Sequence, residues 1–134
     1  MLKLTAYPPI PPTPGSGAFV QTITLADGNA TVGIARWHTS SSTAEGVVQI
    51  LDIHIHPPHQ RKGHGARLLK EVVAQATAYF KLHRSRLRRI WAAVEHQQHI
   101  HARAFLTGQG FHHVATTGNL YRTQDQLLYT RSFD

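Results

Sequence analysis

The sequence predicts an α/β domain in which a mixed, mostly antiparallel sheet is flanked by two main helices. Alternating apolar runs lie on either side of a turn signal at Asp27-Gly28, and a stripe from Leu68 to Phe80 repeats at helical spacing. The remaining segments complete the order β-β-β-α-β-α-β-β, with one more short strand readable in front. At 134 residues the chain reads as a single domain spanning 1–134, large enough to bury a core without metal or disulfide support. Hydrophobic residues make up 41% and charged residues 16%, a globular balance.

Residues 1–18 hold five of the seven prolines. Proline lacks a backbone donor and disfavours helix before it, so this segment reads as an extended arm, with LKLTAY as a short strand. FVQTITL and ATVGIARWHT alternate around the ADGN turn and form a hairpin. The stretch GVVQILDIHIH (46–56) is the clearest strand and Pro57-Pro58 ends it. Strict alternation puts Leu51, Ile53 and Ile55 on one face and Ile50, Asp52, His54 and His56 on the other.

After the loop HQRKGHG comes a helix of about 17 residues, its stripe formed by Leu68, Leu69, Val72, Val73, Ala76, Tyr79 and Phe80. RRIWAAVEH (88–96) reads as a strand, with Trp91, like Trp37, as a core residue. HARAFLTGQ reads as a short helix stopped by Gly110. FHHVATT and QLLYTRSF are the last two strands, turning at Gly118-Asn119.

There is no cysteine, which removes disulfides, thiolate nucleophiles and Cys-based zinc sites. No apolar run reaches the roughly 20 residues that span a bilayer, and no basic-then-apolar leader is visible. A cytoplasmic location without membrane partners is the expectation. The net charge of +7 favours anionic partners.

The strand–glycine loop–helix passage is where such an anion would sit. A helix start carries unpaired N–H groups and the positive end of the dipole. Gly63 and Gly65 let a phosphate approach the backbone, and Arg61 and Lys62 add charge. The same glycines also suit a tight strand-to-helix turn. A nucleotide P-loop needs GxxxxGK followed by Ser or Thr, which is absent. A dinucleotide fingerprint needs a third glycine where Leu68 stands.

The pattern Gln/Arg-x-x-Gly-x-Gly/Ala is met by Gln60, Gly63 and Gly65, and resembles the signature of the GNAT superfamily of N-acetyltransferases. I53-H-I55-H-P57 is similar to that family's L-x-V-x-P strand ending, and ARAFLTGQGF to its A-I-x-L-Y-x-x-x-G-F helix. The resemblance runs from about Phe19 to Asp134 and implies acetyl-CoA as cosubstrate. It implies that Gln60, Arg61, Lys62, Gly63, His64, Gly65 and Ala66 hold the pyrophosphate, largely through backbone N–H groups. Backbone atoms of Ile53, His54 and Ile55 would pair with the pantetheine arm in a splay between strands 46–56 and 88–96. A backbone N–H near Ile55 is the implied oxyanion donor.

Two departures stand out. The family's acid tyrosine falls on Leu106, which has no proton to give, and its asparagine seven residues earlier falls on His99, kept as a cofactor contact. Tyr121 and Tyr129 lie downstream; Tyr121 is taken as the candidate acid, with Asp52, His54 and Glu95 as candidate bases. The family also spends about 40 residues on a strand and two helices roofing the acceptor site. Here residues 1–18 stand in their place, implying an open acceptor side suited to a bulky amine or peptide, or completed by a second copy of the chain.

The function implied is acetyl transfer from acetyl-CoA to a primary amine of a small molecule or peptide. The alternatives are a CoA-binding protein with little catalysis, or a basic nucleic-acid- or metal-binding module. H54-I-H56-P-P-H59 and H96-Q-Q-H99-I-H101 carry imidazoles but sit in no recognised ligand motif, so no metal is assigned. KLHRSRLRR (81–89) carries five cations where a helix end welcomes them, with no stacking platform for nucleic acid.

Overall fold

The computed structural model describes residues 2–7, 19–39, 43–95, 100–121 and 124–133; the side chains of 95, 100–101, 118–121 and 124–125 lie outside that description. Seven strands form one sheet: β1 (Leu2–Ala6), β2 (Phe19–Asp27), β3 (Ala30–Thr39), β4 (Val47–Ile55), β5 (Arg89–Glu95), β6 (His112–Tyr121) and β7 (Gln124–Ser132). Helix α1 (His64–Leu82) joins β4 to β5, and α2 (Ile100–Gly108) joins β5 to β6. The sheet order is β1-β2-β3-β4-β5-β7-β6. Every neighbouring pair is antiparallel except β4 and β5, which are parallel because α1 carries the chain back across the sheet.

The strand expected in front is β1, paired along β2 from Leu2↔Asp27 to Ala6↔Ile23. The β2–β3 hairpin turns on Gly28-Asn29, with Gly28 at φ +61°. The expected turn at Gly118-Asn119 is corrected: β6 continues through both residues to Tyr121, which pairs with Gln124. The ladder absorbs them as an irregularity between Thr117 and Tyr121, so the glycine marks a break in register.

A second correction concerns β4. Trp37 stands opposite Ile50 and Arg36 opposite Asp52, which leaves Leu51 without a partner on β3. This bulge reverses the alternation half-way along the strand. Val48, Ile50, Ile53 and Ile55 therefore all turn toward the core, while Leu51 is exposed, not grouped with Ile53 and Ile55.

Both helices pack on one face of the sheet. Trp37 on β3 donates from Nε1 to Gln75 Oε1 on α1 at 3.0 Å. Paired residues share a face, so the ladder Trp37–Ile50–Ala92–Tyr129 carries that face across to β7, where Arg103 of α2 donates to the Tyr129 hydroxyl at 3.2 Å. The core lies between this face and the helices, with Leu68, Leu69, Val72, Ala76 and Phe80 supplied by α1. Among the described residues no helix covers the other face. Trp91 lies on that face and is only partly buried, unlike Trp37, so its expected core place is corrected.

Helix α2 ends at Gly108 and is stopped, as expected, by Gly110, which adopts φ +87°. Phe111 N–H donates to Leu106 O at 2.9 Å and Gly110 N–H to Thr107 O at 3.2 Å, the paired bonds of a glycine-terminated helix.

Candidate functional site

The site begins where the parallel ladder stops. β4 and β5 are paired from Val47↔Arg89 to Ile50↔Ala92 and no further, although β4 runs on to Ile55 and β5 to Glu95. Past that last rung the strands diverge, and a cleft of about 830 Å³ opens between them. That volume suits a small-molecule ligand. The bulge at Leu51 sits one residue beyond the rung, where it turns the strand away from its neighbour.

The loop from Gln60 to Ala66 forms the mouth. Its first residue is tied down by its own side chain: Gln60 Nε2 donates to Ile55 O at 2.9 Å. Arg61 then takes φ +62° and Gly63 φ +81° before the helix starts. Gly63 is the N-cap and offers no side chain, so the first N–H bonded inside the helix is that of Arg67, to Gly63 O. The N–H groups of His64, Gly65 and Ala66 precede it and have no acceptor within the helix. All three residues line the cleft. Gly65 has a second reason to be glycine, since a Cβ there would sit 3.2 Å from Cε1 of Phe105 on α2. Its missing side chain lets the two helices close over the mouth.

Of the anticipated cofactor-binding residues, Ile53, His54, Ile55, Gln60, Arg61, Gly63, His64, Gly65 and Ala66 line this one cleft. Lys62 is exposed and does not line it. His99 lies outside the described residues.

Among the candidate bases, Asp52 and His54 lie on the helix-free face of β4 and line the cleft. Asp52 faces the Arg36 guanidinium at 3.5 Å, both side chains being half-exposed. His54 is exposed, its ring 5.5 Å from that of His56. The backbone of Glu95 ends β5 opposite Gln126, and that of Tyr121 ends β6; their side chains lie outside the description. Tyr129 is buried away from the cleft, its hydroxyl held by Arg103 and its ring 5.5 Å from His113. Leu106 lines the cleft from α2 and is buried. Among the described residues no three His, Asp or Glu side chains converge on a metal position.

Sequence reading missed Phe105, Ala93 and Gln126, all in the lining. Gln126 closes the polar run Gln124–Gln126 at the start of β7, so nothing in its spacing separates it from a solvated residue.

The sequence profile of the Acetyltransferase (GNAT) family matches residues 6–111, well over half of the chain. The chain belongs to the GNAT family of acetyltransferases. No curated protein matches it in sequence. Solved structures of GNAT proteins share the fold. A protein of Desulfovibrio desulfuricans assigned to the GNAT family is 23% identical, with 84% of this chain and 68% of that one aligned at a TM-score of 0.72. An IAA acetyltransferase from Bacillus cereus is 13% identical over 98% of this chain and 100% of its own, with a TM-score of 0.71. A Bacillus subtilis acetyltransferase in complex with CoA is 15% identical over 86% and 78%, with a TM-score of 0.69. The seven-stranded, mostly antiparallel sheet with its two helices matches the GNAT fold. No helix of the described chain is long and apolar enough to cross a membrane.

Proposed function

We propose that this GNAT protein transfers an acetyl group from acetyl-CoA to a primary amine of a small molecule or peptide. The observation that carries the reading is the gap between β4 and β5 with an uncapped helix start at its mouth. The diphosphate would settle against the N–H groups of His64, Gly65 and Ala66, where the helix dipole and Arg61 favour negative charge. The pantetheine arm would lie along the free edge of β4, pairing with backbone groups of Ile53 to Ile55 as an added strand does. An arm running inward from the loop brings its thioester toward the Ile50–Ala92 rung. The bulge at Leu51 is therefore better placed than Ile55 to supply the oxyanion donor.

In the reaction the neutral amine nitrogen attacks the thioester carbonyl carbon, giving a tetrahedral oxyanion. Collapse breaks the C–S bond and releases the thiolate, and the added nitrogen gives up a proton. Asp52 and His54, on the open side of the cleft, are the proposed acceptors of that proton. Leu106 can donate none, and the Tyr129 hydroxyl is buried and engaged by Arg103, which favours solvent or Tyr121 as the proposed proton donor to the thiolate. The second face, which no helix covers among the described residues, suits a bulky amine or peptide. Calorimetric titration with acetyl-CoA followed by an amine-panel assay tests the reading; absence of both binding and transfer would end it.

A further inference from the structure

Gln126 is a buried polar side chain, 7% exposed, that lines the cleft and finds no hydrogen-bond partner among the described residues. Burying an amide unsatisfied is costly, and most buried amides are bonded. Its place in the sheet says where it is offered. Gln126 stands opposite Glu95 on β5 and on the helix-free face; the next β5 residue on that face is Ala93, which also lines the cleft. Ala93 contributes only a methyl group on that face of β5. Across the gap β4 presents Asp52 and His54.

We infer that the Gln126 carboxamide is a positioning group that holds an amide of the cleft's occupant, donating from Nε2 and accepting at Oε1. A carboxamide matches a group that presents both N–H and C=O. Two parts of a bound complex do so: the amides of a pantetheine arm, and the first peptide bond of a peptide acceptor. The inference rests on the acetyl-CoA reading above.

The test compares wild type with Gln126→Met, which keeps the length of the side chain without its polar atoms. Gln126→Asn serves as a second variant, retaining the amide but withdrawing it by one carbon. Each is titrated with CoA and with 3′-phosphoadenosine 5′-diphosphate, which keeps the diphosphate but lacks the pantetheine arm, and assayed against a pool of peptides with free α-amines. A roughly tenfold loss of CoA affinity with unchanged affinity for the arm-less nucleotide assigns the arm as the partner. Unchanged CoA affinity with a roughly tenfold higher KM for an acetylated peptide assigns the acceptor. The ligand-free Gln126→Met protein is expected to melt no lower than wild type, since among the described residues the carboxamide makes no hydrogen bond to lose. Variants that fold and match wild type in every arm overturn the inference alone. A wild-type protein that binds no CoA overturns the parent reading, and this one with it.

Discussion

Gln60 Nε2 reaches back five residues to the carbonyl oxygen of Ile55 at 2.9 Å, so the first loop residue is bonded to the last residue of β4. The bond fixes the loop's entry angle and leaves the succeeding N–H groups directed at the cleft. A glutamine here acts by shaping the loop. Gln60→Leu should therefore weaken CoA binding about three- to tenfold by loosening the loop, while removing one net hydrogen bond worth about 1 kcal/mol from stability. Calorimetry and thermal melting read the two effects. Complete loss of binding would mean that Gln60 touches the ligand directly.

Gly63 and Gly65 should respond differently to the same substitution. At Gly63 a Cβ meets nothing within 4 Å, but φ is +81°, so Gly63→Ala should cost about 1–2 kcal/mol through backbone strain. At Gly65 helix propensity favours alanine by about 1 kcal/mol, opposed by the 3.2 Å approach to Phe105. Gly65→Ala should be near neutral, whereas Gly65→Leu should displace Phe105 and lose CoA binding. Pairing Gly65→Leu with Phe105→Ala should recover melting temperature if the contact is the cause.

Asp52 and His54 can be separated from the ion pair that surrounds one of them. Asp52→Asn or His54→Gln should lower kcat about 100-fold if that residue takes the proton, with CoA affinity unchanged. Arg36→Gln breaks the 3.5 Å pair yet leaves the carboxylate, and should keep most activity. Full kcat in the Asp52→Asn/His54→Gln double variant would place the base elsewhere.

Tyr79 packs between Phe19, Phe80 and His83, and burial raises its phenol pKa above the ordinary value. The folded state thus favours the neutral phenol. Its contribution is complete below about pH 10, the value in the unfolded chain, and is lost as pH rises through the higher folded value. Tyr79→Phe should flatten the decline in stability above pH 10, measured by urea melts. An unchanged slope would contradict this.

How far the sequence could be read depended on whether one residue type had one structural meaning. The glycine loop was legible because Gln60, Gly63 and Gly65 each answer a local need: a latch, a left-handed cap, a close helix contact. Helix α1 was legible because its stripe is long. The faces of β4 were not, since a bulge adds no special residue and Leu51 looks like any other apolar residue of a strand. Gly118 misled because glycine marks a break within β6 as readily as a turn. Gln126 was invisible because its burial depends on neighbours contributed by other strands.

The measurement closest to the central claim is an amide chemical-shift titration of the labelled protein with CoA. The account predicts that saturating CoA shifts His64, Gly65 and Ala66 together with Ile53 to Ile55, while 3′-phosphoadenosine 5′-diphosphate shifts only the first group. Saturation by CoA that leaves the amides of His64 to Ala66 unmoved would contradict it.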